Sequence, residues 1–148
     1  MPTLTTNKRL HFDYEILEDY EAGIILTGAE VKACKRGMAN LTGAYASVQG
    51  GEIWLKNAQI NAYQMNNQRG YQPIHDRKLL LRRKIITELI SKLNTAGLTL
   101  LVESLYTTRG FVKAKLVLAR GKKAADKRAK MKKRDVDRSI ARALRQKY

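Results

Sequence analysis

Two stretches of this chain alternate apolar with polar residues, and a third repeats its apolar positions every four. In AYASVQGGEIWLKNAQINAY, two runs of strand composition are joined by Gly50-Gly51. That dipeptide accommodates the positive φ of a tight turn, so the pattern predicts a β-hairpin. LTLLVESLY and FVKAKLVLA flank Thr107-Thr108-Arg109-Gly110, with Val112, Ala114, Leu116 and Leu118 on one side and Lys113 and Lys115 on the other. A second hairpin is predicted there. Between the two, KLLLRRKIITELISKLNTAG carries Leu81, Ile85, Leu89 and Leu93 at intervals of four, flanked by Ile86 and Ile90, with Gly97 placed as a C-terminal cap. This is the period of a helix.

Upstream, FDYEILEDYEAGIILTG mixes aromatic and β-branched residues with acids and predicts a strand bent or bulged at Gly23. GAEVKACKRGM, bounded by Gly28 and Gly37, predicts one or two helical turns. QMNNQRGYQPIHD shows neither period and predicts a loop, of a length that is often functional. Five or six strands in hairpins with an interposed helix point to a mainly β fold with helices. An OB-type small β-barrel fits best, since that architecture has about five strands and a face used for oligonucleotides. An open α+β sandwich is the alternative.

With 148 residues and 44% hydrophobic content, the chain can bury one sizeable core and no second domain. Its charge changes the picture more than its length does. The net charge is +16, and Arg120 to Tyr148 holds 13 Lys or Arg against three Asp. The chain therefore divides into a body, residues 1–121, and a basic C-terminal tail, residues 122–148. Val136, Ile140 and Leu144 recur at i, i+4 and i+8, and neither Gly nor Pro interrupts the tail after Lys122, so a helix with a thin apolar stripe is encoded. Like-charged pairs at i, i+4, such as Lys123 with Lys127 and Arg134 with Arg138, disfavour that helix in isolation by about 0.2–0.5 kcal/mol each. Phosphates would neutralise them. The tail is expected to be disordered when free and helical when bound, and its partner to be a polyanion, nucleic acid before membrane.

The chemistry of an enzyme is sparse here. His11 and His75 are the only histidines, and neither has Cys or His at zinc-ligand spacing. The single cysteine, Cys34, reads as a small core residue and cannot form an internal disulfide. No phosphate loop, dinucleotide fingerprint or nucleophile elbow occurs. The acids Asp13, Glu15, Glu18, Asp19 and Glu21 read as a solvated strand face rather than a carboxylate pair. No enzyme activity, metal or cofactor is expected. With no apolar run suited to a signal peptide and none near the ~20 residues of a bilayer span, the expected location is cytoplasmic. Glu30 stands alone between Gly28 and Lys32, either to accept hydrogen bonds from RNA or to pair with Lys32. Tyr45, Trp54, Tyr63, Tyr71 and Tyr106 are candidates for stacking on unpaired bases, or for core and rim positions.

YEILEDYEAGIILTGAEVKACKRG, ANLTGAYASV, GEIWLKNAQINAY, RKLLLRRKI and LVLARGKKAADKR resemble, in order and spacing, the SmpB family of SsrA-binding proteins that act in bacterial ribosome rescue. The likeness runs from about Asn7 to Arg128. It implies an OB-type barrel that binds the tRNA-like domain of transfer-messenger RNA (tmRNA, SsrA) and delivers it to stalled ribosomes for trans-translation, with elongation factor Tu engaged indirectly through the charged RNA. It also implies a tail that probes the empty decoding centre and mRNA channel of the small subunit, and no role for a membrane. Carried over by residue, Glu30, Asn40, Tyr45, Arg120, Gly121, Lys122 and Lys123 fall on RNA-binding positions. Asp126, Lys127 and Arg128 fall on the decoding-centre motif, while Ile140, Ala143 and Leu144 fall in the distal tail. Replacing Glu30 with Ala is then expected to weaken RNA binding and leave the fold intact. The chain departs from the family pattern at Ala125, where an aromatic or His is common, at Met38 and at Arg82. Two readings of other classes are a structural ribosomal protein with a basic extension and an RNA-modifying enzyme, the latter disfavoured by the missing catalytic groups.

Overall fold

A computed structural model describes residues 3–64, 70–95 and 97–121. Their elements are β1 (Thr3–Thr6), α1 (Leu10–Asp13), β2 (Tyr14–Ile24), α2 (Gly28–Lys35), β3 (Ala39–Asn40), β4 (Tyr45–Gln49), β5 (Glu52–Lys56), β6 (Gln59–Ile60), β7 (Arg77–Leu80), α3 (Arg83–Leu93), β8 (Leu98–Thr108) and β9 (Phe111–Gly121). The strands β8, β4, β5, β7, β2 and β9 pair in that order, all antiparallel, and β9 pairs again with β8. The ladder thus closes on itself as a small barrel-like ring. β1 adds to β8 beyond the stretch that β4 occupies, and β3 with β6 forms a separate two-stranded sheet.

Alternation sets what faces inward. Ile53 and Leu55 of β5, Leu79 of β7, and Val112, Ala114 and Leu116 of β9 meet Ala22, Ile24, Leu100, Val102 and Leu105 in one core. Two irregularities in pairing keep that core continuous. Between Val102 and Ser104 the register with β9 slips by one, so the inward positions move from 100 and 102 to 105. A second slip between Ile16 and Glu18 divides β2. Tyr14 and Ile16, upstream of it, pack on a smaller cluster of Leu10, Leu101, Val117 and Ala119, while Tyr20, Ala22 and Ile24 turn to the main core. An inserted residue switches faces in this way because side chains along a strand have a period of two. The second cluster, covered by Leu10 of α1, is also why the end of β9 reads as an unbroken apolar run.

Both hairpins form, each on a two-residue turn with positive φ at both positions: Gly50 and Gly51 at 63° and 76°, Arg109 and Gly110 at 51° and 81°. The ladder of the second runs through Thr107–Val112 to Thr108–Phe111, so both threonines belong to β8 rather than to the turn. Gly23 does not mark a bulge, which sits instead at Leu17. Gly23 is opposite Lys113 on one side and Leu80 on the other, and a Cβ there would lie 3.3 Å from Leu80 Cβ. Its role is close approach of two strands.

The four-residue period of the KLLL segment is genuine only from Arg83 onward. α3 begins there, with Ile86 and Leu89 buried, and ends at Leu93 with Asn94 as its C-cap, three residues short of Gly97. Arg77–Leu80 is a strand, buried at Arg77 and Leu79 and less so between and after them. A short apolar run satisfies both periods, and the pairing of Leu79 with Ile53 decides for the strand. The expected loop holds for Gln64 and Gly70–Asp76 save an isolated bridge at Ile74, its intervening residues 65–69 lying outside those described. No helix among the described residues is long and apolar enough to cross a membrane.

Candidate nucleic-acid interface

Thr27 opens α2 with a capping box: its hydroxyl accepts the Glu30 backbone N–H at 3.2 Å, and Glu30 Oε1 accepts the Thr27 N–H at 3.0 Å. This places Glu30 one turn into the helix and facing inward, only 2% exposed. Its other oxygen, Oε2, accepts from Arg77 Nε at 2.8 Å and from the Tyr71 hydroxyl at 3.0 Å, and lies 3.0 Å from His75 Nε2. Arg77 is equally buried and donates also to Ala58 O at 2.8 Å, Pro73 O at 3.0 Å and the Tyr71 hydroxyl at 3.2 Å. Two elements distant in sequence and one loop are fastened at a single buried ion pair. The partner of Glu30 is Arg77, not Lys32.

Burial alone would raise the Glu30 carboxyl, but the Thr27 N–H bond, the Arg77 guanidinium and His75 outweigh it and hold the group at about 2. Because the folded value lies below the unfolded one, the carboxylate contributes stability in full above about pH 4.5 and loses it as pH falls through 2. The amount is on the order of 3 kcal/mol. In a carboxyl NMR titration Glu30 is expected to titrate near 2; a midpoint near 4.5 would contradict the buried pair.

A second neighbourhood surrounds a shallow groove lined by Asn7, Arg9, Tyr14, Thr42, Tyr45 and Thr99 among others. Asn40 is exposed at the end of β3, and its side-chain oxygen accepts the Thr42 N–H at 2.9 Å, shaping the turn into the groove wall. Tyr45 opens β4 and is 37% exposed. Arg120 and Gly121 end β9 opposite Glu15 and Tyr14, and both are exposed. Tyr45 lines this groove, Asn40 and Gly121 adjoin it through Thr42 and Tyr14, and Arg120, paired with Glu15 and Leu98, stands on the alternate face of β9, while Glu30 belongs to the other neighbourhood. The two adjoin through the pairing of Asn40 with Gln59. Lys122, Lys123, Asp126, Lys127, Arg128, Ile140, Ala143 and Leu144 lie outside the described residues.

The acids of β2 face lysines across the surface. Glu18 pairs with Lys92, Glu21 with Lys113 at 2.7 Å and Asp19 with Lys115 at 4.0 Å, as a solvated strand face requires. The bonds from Lys92 and Tyr20 lower the Glu18 pKa, and the Lys113 bond lowers that of Glu21. Cys34 is fully buried in the main core, and burial pushes its thiol up to about 11, far from a reactive thiolate. Among the described residues no group of three His, Cys, Asp or Glu is placed to hold a metal ion.

Sequence reasoning missed Arg77. The available signal was an arginine at an inward-facing strand position two residues before Leu79, together with an acid, Glu30, on a helix. It also left Tyr63 as one aromatic among five. Lys32 Nζ and Arg36 Cζ lie over the Tyr63 ring at 5.7 and 4.9 Å from its centroid.

The SmpB protein family model matches residues 4–146. An SsrA-binding protein of Mycolicibacterium smegmatis is 46% identical over 141 residues, covering 95% of this chain and 88% of that one. An SsrA-binding protein of Carboxydothermus hydrogenoformans is 43% identical over 145 residues, with 98% and 97% covered. A chain solved under the description "tmRNA-SmpB: a journey to the center of the bacterial ribosome" superimposes with a TM-score of 0.69 at 42% identity, over 84% of this chain and 87% of that one. With the match spanning nearly the whole sequence and the fold in agreement, this chain belongs to the SmpB protein family.

Proposed function

We propose that this protein binds the tRNA-like domain of tmRNA and delivers it to stalled ribosomes for trans-translation, working in the cytoplasm without catalysis of its own. The observation that carries the reading is the structural likeness to a tmRNA-SmpB chain at 42% identity. The geometry supports it physically. The groove beside Tyr45 has an exposed aromatic, an exposed cation at Arg9 and amide and hydroxyl groups at Asn7 and Thr42, with Asn40 beside Thr42, the mixture that suits phosphates, riboses and unpaired bases.

In this reading the body, residues 1–121, holds the RNA, with Asn40, Tyr45, Arg120 and Gly121 in contact and Lys122 and Lys123 continuing the basic junction. Glu30 acts through Arg77, fixing Ala58, Tyr71 and Pro73 against α2 rather than meeting RNA itself. The tail, residues 122–148, enters the decoding centre with Asp126, Lys127 and Arg128 and the mRNA channel with Ile140, Ala143 and Leu144. Elongation factor Tu is reached only through the charged RNA.

Titrating the protein with the isolated tRNA-like domain over a range of salt tests the RNA-binding half. Affinity is expected to fall steeply, the log–log slope being about −0.7 to −0.9 per phosphate neutralised. A slope near zero, or equal affinity for an unrelated hairpin of the same length, would contradict specific RNA binding.

A further inference from the structure

Positive charge on the body is of two kinds. Lys92 of α3 and Lys113 and Lys115 of β9 each have a carboxylate within salt-bridge distance. On α2 the pattern is the reverse. The only acid of that helix, Glu30, is buried and committed to Arg77. Lys32, Lys35 and Arg36, at i, i+3 and i+4, are exposed on one face and have no carboxylate partner among the described residues.

Two of these cations are nevertheless held in place. Lys32 and Arg36 both sit over Tyr63, a half-buried ring packed against the main core. The segment that carries Tyr63 is itself anchored: the Asn61 N–H donates to Met38 O at 3.0 Å, and Arg77 holds Ala58 O. A guanidinium resting on an aromatic face keeps its planar N–H edge free for a bidentate acceptor. Two like charges one helical turn apart repel until an anion lies between them. Beside them Gln59 and Asn61 are linked side chain to side chain at 2.8 Å, an amide rim suited to ribose and base edges rather than to lipid.

We propose that Lys32, Arg36 and Tyr63 form a phosphate clamp on which the sugar-phosphate backbone of the bound RNA crosses α2, with Gln59 and Asn61 at its edge. This site is separate from the groove beside Tyr45, and it rests on the RNA-binding reading given above. It also gives the Glu30–Arg77 pair a use, since that pair fixes both sides of the clamp.

The test is titration of the full-length protein with the isolated tRNA-like domain at several salt concentrations, with melting curves on every variant. Lys32→Gln and Arg36→Gln are each expected to weaken binding about ten- to a hundredfold and to make the log–log slope shallower by just under one. Arg36→Lys should keep the slope and lose affinity, because the charge remains and the fork does not. Tyr63→Leu should likewise weaken binding at unchanged slope. Lys113→Gln, which removes a cation paired with Glu21, should change neither. Wild-type affinity and slope in the Lys32→Gln/Arg36→Gln double variant would overturn the clamp while leaving RNA binding standing. Equal losses for Lys113→Gln would overturn it too, since net charge alone would then explain the effect. Failure of the wild-type protein to bind the domain would overturn the RNA reading on which the clamp depends.

Discussion

A chain ending at Lys123 is expected to bind the tRNA-like domain nearly as tightly as the full protein and to support no tagging of nascent chains on stalled ribosomes. The argument is a division of labour. The groove and its neighbouring cations sit on the body, whose last described strand, β9, ends at Gly121 beside Tyr14. The tail carries most of the net charge but few groups that can recognise a folded RNA. If helical, residues 124–148 would extend about 37 Å at about 1.5 Å per residue, enough to leave the barrel and occupy a channel from which mRNA is absent. Ile140→Pro refines the test, because it keeps every charge and costs the helix interior about 3 kcal/mol. It should retain RNA binding and ribosome association and lose activity. Full tagging by the truncated chain would contradict the division, and wild-type activity with Ile140→Pro would reduce the tail to charge without a helix.

Arg77→Met is expected to destabilise the body by about 3–5 kcal/mol, the largest effect of any single substitution at the site, because it leaves the Glu30 carboxylate buried without its counter-charge. The loss of donors to Ala58, Pro73 and Tyr71 adds to it. Glu30→Ala should be damaging for the reciprocal reason, which reverses the expectation from sequence that this variant keeps the fold intact while RNA binding weakens. Glu30→Gln with Arg77→Met should cost less than the two single substitutions added together, since neither charge is then stranded. Urea denaturation of Glu30→Gln, Arg77→Met and their double variant decides: additive losses, or a loss under about 1 kcal/mol for Arg77→Met, would mean that the pair is not the buried fastening described here.

The reach of the sequence varied with the range of the interaction. Both hairpins were legible because Gly50-Gly51 and Arg109-Gly110 encode their turns locally. The core of α3 was legible because Ile86 and Leu89 repeat within one element. What escaped depends on partners far along the chain. Whether Leu79 belongs to a strand or a helix is settled by Ile53, and the bulges at Leu17 and Glu103 are settled by β9, to which no local pattern points. The same limit applies to the candidate site. Glu30 stood out as an isolated acid, but its role could not be read without Arg77, 47 residues away. Asn40 entered through the resemblance to a family and Tyr45 also as one of five candidate stacking aromatics, and only the folded chain brings the two to one groove.

The most direct measurement is to purify the full-length protein from growing cells under moderate salt and sequence the RNA that accompanies it. If the protein is the tmRNA partner proposed here, one small RNA with a tRNA-like end should dominate, and salt-washed ribosomes should carry the protein at well below one copy each. Ribosomal RNA as the main species, with one copy of the protein on every salt-washed ribosome, would contradict the account and make it a structural component of the particle.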